Sequence, residues 1–174
     1  MVCKPKVIFL DLDGTIWDTL DVSSYRPPFR PVNDDDVIVD SLGREVRLYE
    51  GVREFLSTVR KAGILVYVLS WNVYEIAYDA LRTFNLTKYF DGLYIEPHPE
   101  KDVMMSKALR HLRDLGINVK PCEIVYVDDR DIHIDQIRRA IGDVYFIRMW
   151  VDVKSFKELT NLILDMLNKG SRHE

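Results

Sequence analysis

Residues 7 to 15 read Val-Ile-Phe-Leu-Asp-Leu-Asp-Gly-Thr, an apolar run that stops at two carboxylates and a glycine. Side chains alternate along a strand, so Asp11 and Asp13 project to one side while Leu12 points away. Carboxylates forced together repel, and a bound divalent cation is the simplest relief. An isolated Asp-x-Asp is usually a polar loop after a core strand. Here the same pattern recurs: the run Ile64 to Leu69 ends in Ser70, and Ile124 to Val127 ends in Asp128 and Asp129. Lys101 opens a helical segment just after Glu96-Pro-His-Pro99. Acids with no clustered His or Cys favour a hard cation such as Mg2+ over zinc.

These groups need a scaffold that gathers them. Strand-like runs alternate with helical ones, which predicts an α/β fold: a three-layer α/β/α Rossmann-like parallel sheet. In such a sheet all strand C-termini share one edge, and ligands bind in the crevice there. The apolar spacing Val52, Phe55, Leu56, Val59 predicts a helix stopped at Gly63. Asn72 is placed as N-cap of a helix that turns Ile76, Ala77, Ala80, Leu81 and Phe84 inward. Tyr94-Ile95 ends a short strand, and a helix runs from about Lys101 to Asp114 over Met104, Ala108, Leu109 and Leu112. Ile134, Ile137 and Ile141 line another helix, and Val144 to Ile147 form the last strand. A closing helix begins at Ser155 with Glu158 completing a capping box.

Residues 19 to 50 break the alternation. Tyr25-Arg-Pro-Pro-Phe-Arg-Pro31 is extended, Asn33 to Asp36 is a polar turn, and Asp40-Ser-Leu-Gly43 joins two short strands. The stretch reads as a small β-hairpin flap beside the site. The whole chain, 1–174, is expected to form one domain with no large cap.

Composition narrows the class. With 47% hydrophobic and 30% charged residues, the chain is an ordinary globule. A net charge of −4 opposes general nucleic-acid binding, whose footprint is basic. The N-terminal apolar run is too short for a signal peptide or membrane span, so a cytoplasmic location and no membrane partner are expected. Cys3 and Cys122 form no CxxC pair, so neither a zinc site nor a disulfide framework is indicated. Cys122 is expected as a small buried apolar group at a strand's edge.

With these elements in order, the chain resembles the haloacid dehalogenase superfamily of aspartate-nucleophile phosphotransferases. Four motifs match: Asp11-Leu-Asp-Gly-Thr15, Ser70, Lys101 and Asp128-Asp129. Within that superfamily it is most similar to the magnesium-dependent phosphatases. The likeness rests on Asp11-Leu-Asp-Gly-Thr-Ile-Trp17, Pro27-Pro-Phe29, Gly43-Arg-Glu-Val-Arg-Leu-Tyr49, and Asp128-Asp129 after an aromatic-containing strand. It covers about residues 6 to 150.

The resemblance implies an Mg2+-dependent phosphomonoesterase that works through an aspartyl-phosphate. Asp11 is then the nucleophile and Asp13 the general acid and base. Asp11, Asp13 (through its carbonyl), Asp128 and Asp129 hold the metal, with Ser70, Lys101, Trp71 and Asn72 around the phosphate. Lys107 is the rival to Lys101 but lies mostly off its helix face. His98 and His133 are expected as surface or supporting groups. Trp17 and Trp71 either wall the pocket or simply pack. Two positions depart from the family's pattern: Trp71-Asn72 stands where Arg-Thr is expected, and Gly14 where a larger residue is common.

Only about 35 residues separate Thr15 from Gly51 and about 30 separate Ser70 from Lys101, too few for a folded cap. An open site suits a phosphorylated substrate that is a small molecule or protein-linked, with phosphotyrosine-type and fructosamine-phosphate esters implied by the resemblance. The alternatives are a capless phosphatase for nucleic-acid ends or sugar phosphates, and a non-catalytic binding or regulatory domain on the same fold. The retained acid pair at 11 and 13 argues against the last.

Overall fold

The computed structural model describes residues 3–170. Five parallel strands form the central sheet: β1 (Val7–Leu10), β5 (Leu65–Trp71), β6 (Gly92–Glu96), β7 (Ile124–Asp128) and β8 (Tyr145–Arg148), in the order β6-β5-β1-β7-β8. Between β1 and β5 lie three shorter strands, β2 (Arg30–Pro31), β3 (Val37–Val39) and β4 (Glu45–Arg47), which pair antiparallel as a separate sheet. The flap therefore has one strand more than a hairpin, because the proline-rich segment pairs Arg30 with Val39.

The period of two in the strands sorts the core into two layers. Ile8, Leu10, Val66, Val68, Val125 and Val127 belong to one buried cluster. That cluster also takes residues from α1 (Val52–Lys61), α2 (Tyr74–Thr83) and α5 (Phe156–Gly170). Val7, Phe9, Tyr67, Leu69, Ile124 and Tyr126 belong to the other, with α3 (Lys101–Asp114) and α4 (Ile134–Ala140). Both faces being covered explains why these strands are nearly continuous apolar runs. Phe9 is fully buried, and truncating it to Ala should cost about 3–5 kcal/mol.

The chain starts in the middle of the sheet, winds outward through β5 and β6, then returns to β7 on the other side of β1. The order reverses beside β1, and that crevice is where open α/β sheets bind ligands. The register Leu10↔Val127 brings the C-terminal ends of β1 and β7 level.

Three expectations are corrected. Cys3 and Cys122 form a disulfide across 119 residues of sequence. Lys6 N–H donates to the Glu123 carbonyl at 2.8 Å, so the β1–β7 pairing itself brings the two cysteines together. Spacing along the chain carries no trace of that approach. Asn72 does not cap α2: the N-cap is Val73, and the Asn72 side chain turns to other partners. The capping box of α5 is half-formed. Ser155 Oγ accepts from Glu158 N–H at 3.0 Å, but the Glu158 carboxylate takes the Lys154 N–H instead, at 2.7 Å. Among the described residues no helix is long and apolar enough to cross a membrane.

Candidate active site

Asp11 is fixed by the sheet. Its N–H donates to the Val127 carbonyl at 3.0 Å, which extends the β1–β7 ladder by one residue beyond β1. Asp128 closes β7, and its carbonyl accepts from Met149 N–H at 2.8 Å. Two neighbouring strands thus deliver two buried carboxylates to the same place. Lys101, the first residue of α3, is wholly buried between them, with Nζ 2.8 Å from Asp11 Oδ1 and 2.6 Å from Asp128 Oδ2. Lys107 instead pairs with Glu96 at 2.6 Å.

Carboxylate oxygens of Asp11, Asp128 and Asp129 lie within 4.8 Å of one another. The set offers oxygen ligands alone, which suits a hard cation. Burial, followed by the charge of Asp128, pushes the Asp11 carboxyl well above the ordinary carboxylate range. Burial also raises Asp129. Burial alone would raise Asp128, but the Lys101 ammonium outweighs it and holds that carboxyl low. Burial opposes the charge on Lys101 as well, yet Asp11 and Asp128 more than offset it. One ammonium cannot neutralise three acids, and a divalent cation would complete the balance.

Asp13 sits apart from this cluster. Oδ1 accepts from Trp17 Nε1 at 2.7 Å and from Val22 N–H at 3.2 Å, while Oδ2 accepts from Asn72 Nδ2 at 2.9 Å. Its burial raises the carboxyl to about 6 against these donors. Asn72 also accepts from Val73 N–H at 3.0 Å through Oδ1, so both ends of its amide are engaged within the protein. Trp17 is fully buried, a packing residue that also steers Asp13.

Gly14 shapes the turn between the acids. It has φ +69°, and a Cβ there would stand 2.6 Å from Asp129 Oδ2 and 3.2 Å from Leu20 Cδ2. Any larger residue would displace an acid of the cluster.

Several supporting groups escaped the sequence reading. Thr15 Oγ1 donates to Asp11 Oδ2 at 2.8 Å and accepts from Asp129 N–H at 3.1 Å, tying the first motif to the last. The Tyr126 hydroxyl donates to Asp128 Oδ2. Trp150 Nε1 donates to the Gly14 carbonyl at 2.8 Å. The period of two in β7 aligns Tyr126 with Asp128 and was the available signal for that pair. His133 is buried at the start of α4, its imidazole lowered to about 4 by burial and by Lys101. His98 bonds Glu96 at 3.2 Å.

Ser70 is buried at the end of β5, and Trp71 follows it, 45% exposed. Trp71, Asn72, Leu20, Asp21, Arg130 and the acids Asp11, Asp13 and Asp129 line a cleft of about 600 Å³. From the 19–50 stretch it is Leu20, Asp21 and Ser23, not the flap strands, that reach the cleft.

The sequence matches the family model described as Acid Phosphatase over residues 3–150. It is 28% identical over 145 residues to human Magnesium-dependent phosphatase 1, covering 83% of this chain and 74% of that protein. The fold is similar to a HAD-superfamily hydrolase, subfamily IA, of Geobacter sulfurreducens, with a TM-score of 0.63 and 19% identity over 91% of this chain and 99% of that one. It is also similar to the 3-deoxy-D-manno-octulosonate 8-phosphate phosphatase of Moraxella catarrhalis, solved with magnesium, phosphate and KDO. There the TM-score is 0.55 and the identity 16%, over 98% of this chain and 91% of that one.

Proposed function

The chain belongs to the acid phosphatase family, and from that premise we propose that its cleft hydrolyses phosphate monoesters with Mg2+ through an aspartyl-phosphate. The observation that carries this reading is the cluster of Asp11, Asp128 and the half-buried Asp129, with Lys101 bonded to the first two and Asp13 held separately beside it. The human relative's name specifies magnesium dependence, and the oxygen-only acid set fits that ion.

Asp11, Asp128 and the Asp13 carbonyl would hold Mg2+, with Asp129 acting through a water. When bound, the ion supplies charge that draws in the phosphoryl oxygens and quiets the acid cluster. A carboxylate oxygen of Asp11 attacks phosphorus, forming the acyl phosphate as the ester P–O bond breaks. The departing alkoxide takes its proton from Asp13, whose carboxyl is tuned near neutrality for that task. In the second displacement Asp13 accepts a proton from water as that water attacks phosphorus. Inorganic phosphate leaves and the Asp11 carboxylate returns. Ser70 and Lys101 bind phosphoryl oxygens, and Lys101 offsets their charge. Asn72 contributes through its bond to Asp13.

Among the described residues no domain covers the cleft, which fits phosphoproteins or protein-linked sugar phosphates as readily as small esters. The direct test is trapping: the acyl phosphate, or beryllofluoride in its place, should be found on Asp11. Asp11→Asn should abolish p-nitrophenyl phosphate hydrolysis with its fold retained, and EDTA should silence the wild type until Mg2+ is restored. Turnover indifferent to chelator, or label on another residue, refutes the reading.

A further inference from the structure

The mouth of the cleft is built unlike its floor. Trp71 is the last residue of β5 and pairs in register with Glu96 of β6, so the sheet rather than a loop sets its position. Asn72 N–H continues the ladder, donating to the Glu96 carbonyl at 2.9 Å. Among the described residues no ring stacks on the Trp71 indole and no cation lies over it. A large exposed indole held rigidly one residue past a buried serine is an apolar face waiting for a partner.

Its surroundings select what that partner is. Leu20 (79% exposed) and Val73 (38% exposed) line the same cleft, as does Pro97. The same cleft is lined by the acids Asp11, Asp13 and Asp129, of which Asp11 is buried, and Asp21 adds another acid. Arg130 is the cation of the lining. A leaving group with its own phosphate or carboxylates would bring negative charge against these acids and leave the apolar rim bare. A flat uncharged ring would cover the indole instead, where offset stacking adds to the gain from removing apolar surface from water.

We propose that Trp71 is a specificity-determining residue, selecting monoesters whose leaving group carries a flat, uncharged ring next to the ester oxygen, with Leu20 and Val73 completing the apolar rim. This rests on the phosphatase reading above.

The test compares KM and kcat for phenyl phosphate and glycerol 2-phosphate in the wild type, Trp71→Ala and Trp71→Phe, with phenylphosphonate and inorganic phosphate as inhibitors. Trp71→Ala should raise KM for phenyl phosphate about tenfold more than KM for glycerol 2-phosphate, the scale of one lost aromatic contact. Phenylphosphonate inhibition should weaken by the same factor relative to phosphate inhibition, and Trp71→Phe should recover most of both. A change common to both esters, or none on phenyl phosphate, overturns the assignment while leaving the phosphatase reading intact. A wild type that hydrolyses neither ester overturns that reading and the inference with it.

Discussion

Lys101 Nζ lies 2.8 Å from Asp11 Oδ1, although 90 positions separate the two residues in sequence. Both groups are buried, and Asp128 shares the same ammonium at 2.6 Å, so the two carboxylates depend on one buried cation. Lys101→Met removes the partner of two acids at once. It should lower kcat at least about 100-fold, as loss of a preorganised charge does. It should also destabilise the fold by about 3–5 kcal/mol at neutral pH. Added Mg2+ should raise the melting temperature of this variant more than that of the wild type. Calorimetry with and without the ion checks the difference.

The Asp13 carboxyl, raised to about 6, sets the direction of a pH profile. The acid form is present below that value and lost above it. For an alkyl ester, whose leaving group needs the proton, kcat/KM should fall about tenfold per pH unit above 6. p-Nitrophenyl phosphate, with a stable leaving anion, should respond less. Asp13→Asn should cost the alkyl ester about 10²–10⁴-fold and the activated ester less. Parallel profiles for both esters would place the titration elsewhere.

Asp40 anchors the flap. Burial would raise its carboxyl, but N–H donors from Arg26, Arg44 and Leu42, with the Arg44 guanidinium, hold it at about 2. The folded state binds this proton more weakly than the unfolded chain. The stabilisation is therefore present above the ordinary value of 3.8 and drains away as pH falls toward 2. Its size is about 2 kcal/mol. Urea unfolding should show Asp40→Asn less stable than the wild type at pH 7 by about that amount. The gap should close near pH 2.

The Cys3–Cys122 bridge closes a loop spanning 119 residues. Constraining so long a segment in the unfolded state is worth about 5 kcal/mol. Cys3→Ser or reduction should lower the melting temperature by about 10 °C. The β1–β7 ladder should still hold Asp11 and Asp128 in place, so turnover should survive below the new melting point. Loss of activity before loss of fold would show that the bridge, not the ladder, spaces the acids.

The acids were legible because β1 and β7 announce themselves as apolar runs cut off by carboxylates, and one sheet edge must collect them. Lys101 was legible as the first residue of a helix facing that edge. What stayed hidden depends on tertiary approach. Two cysteines far apart in sequence meet only because β1 lies beside β7. Asn72 looked like a helix cap because Asn favours that position, yet its amide is drawn to the half-buried Asp13 carboxylate. The Glu158 carboxylate accepts from the Lys154 N–H in place of the Ser155 N–H that a capping box would use. Tyr126 reads as one more apolar strand residue until its hydroxyl is seen against Asp128.

Adjacency of β1 and β7 has one more consequence. The three-stranded flap and the Leu20 rim, which leave the sheet after β1 and rejoin it at β5 through α1, hang as a side-loop beside a junction pinned at the bottom by sulfur and along its length by the ladder. Lengthening or exchanging that side-loop leaves the spacing of Asp11 and Asp128 alone. Grafted mouths from other capless enzymes should therefore retune which esters enter while the phosphorus chemistry carries on beneath them.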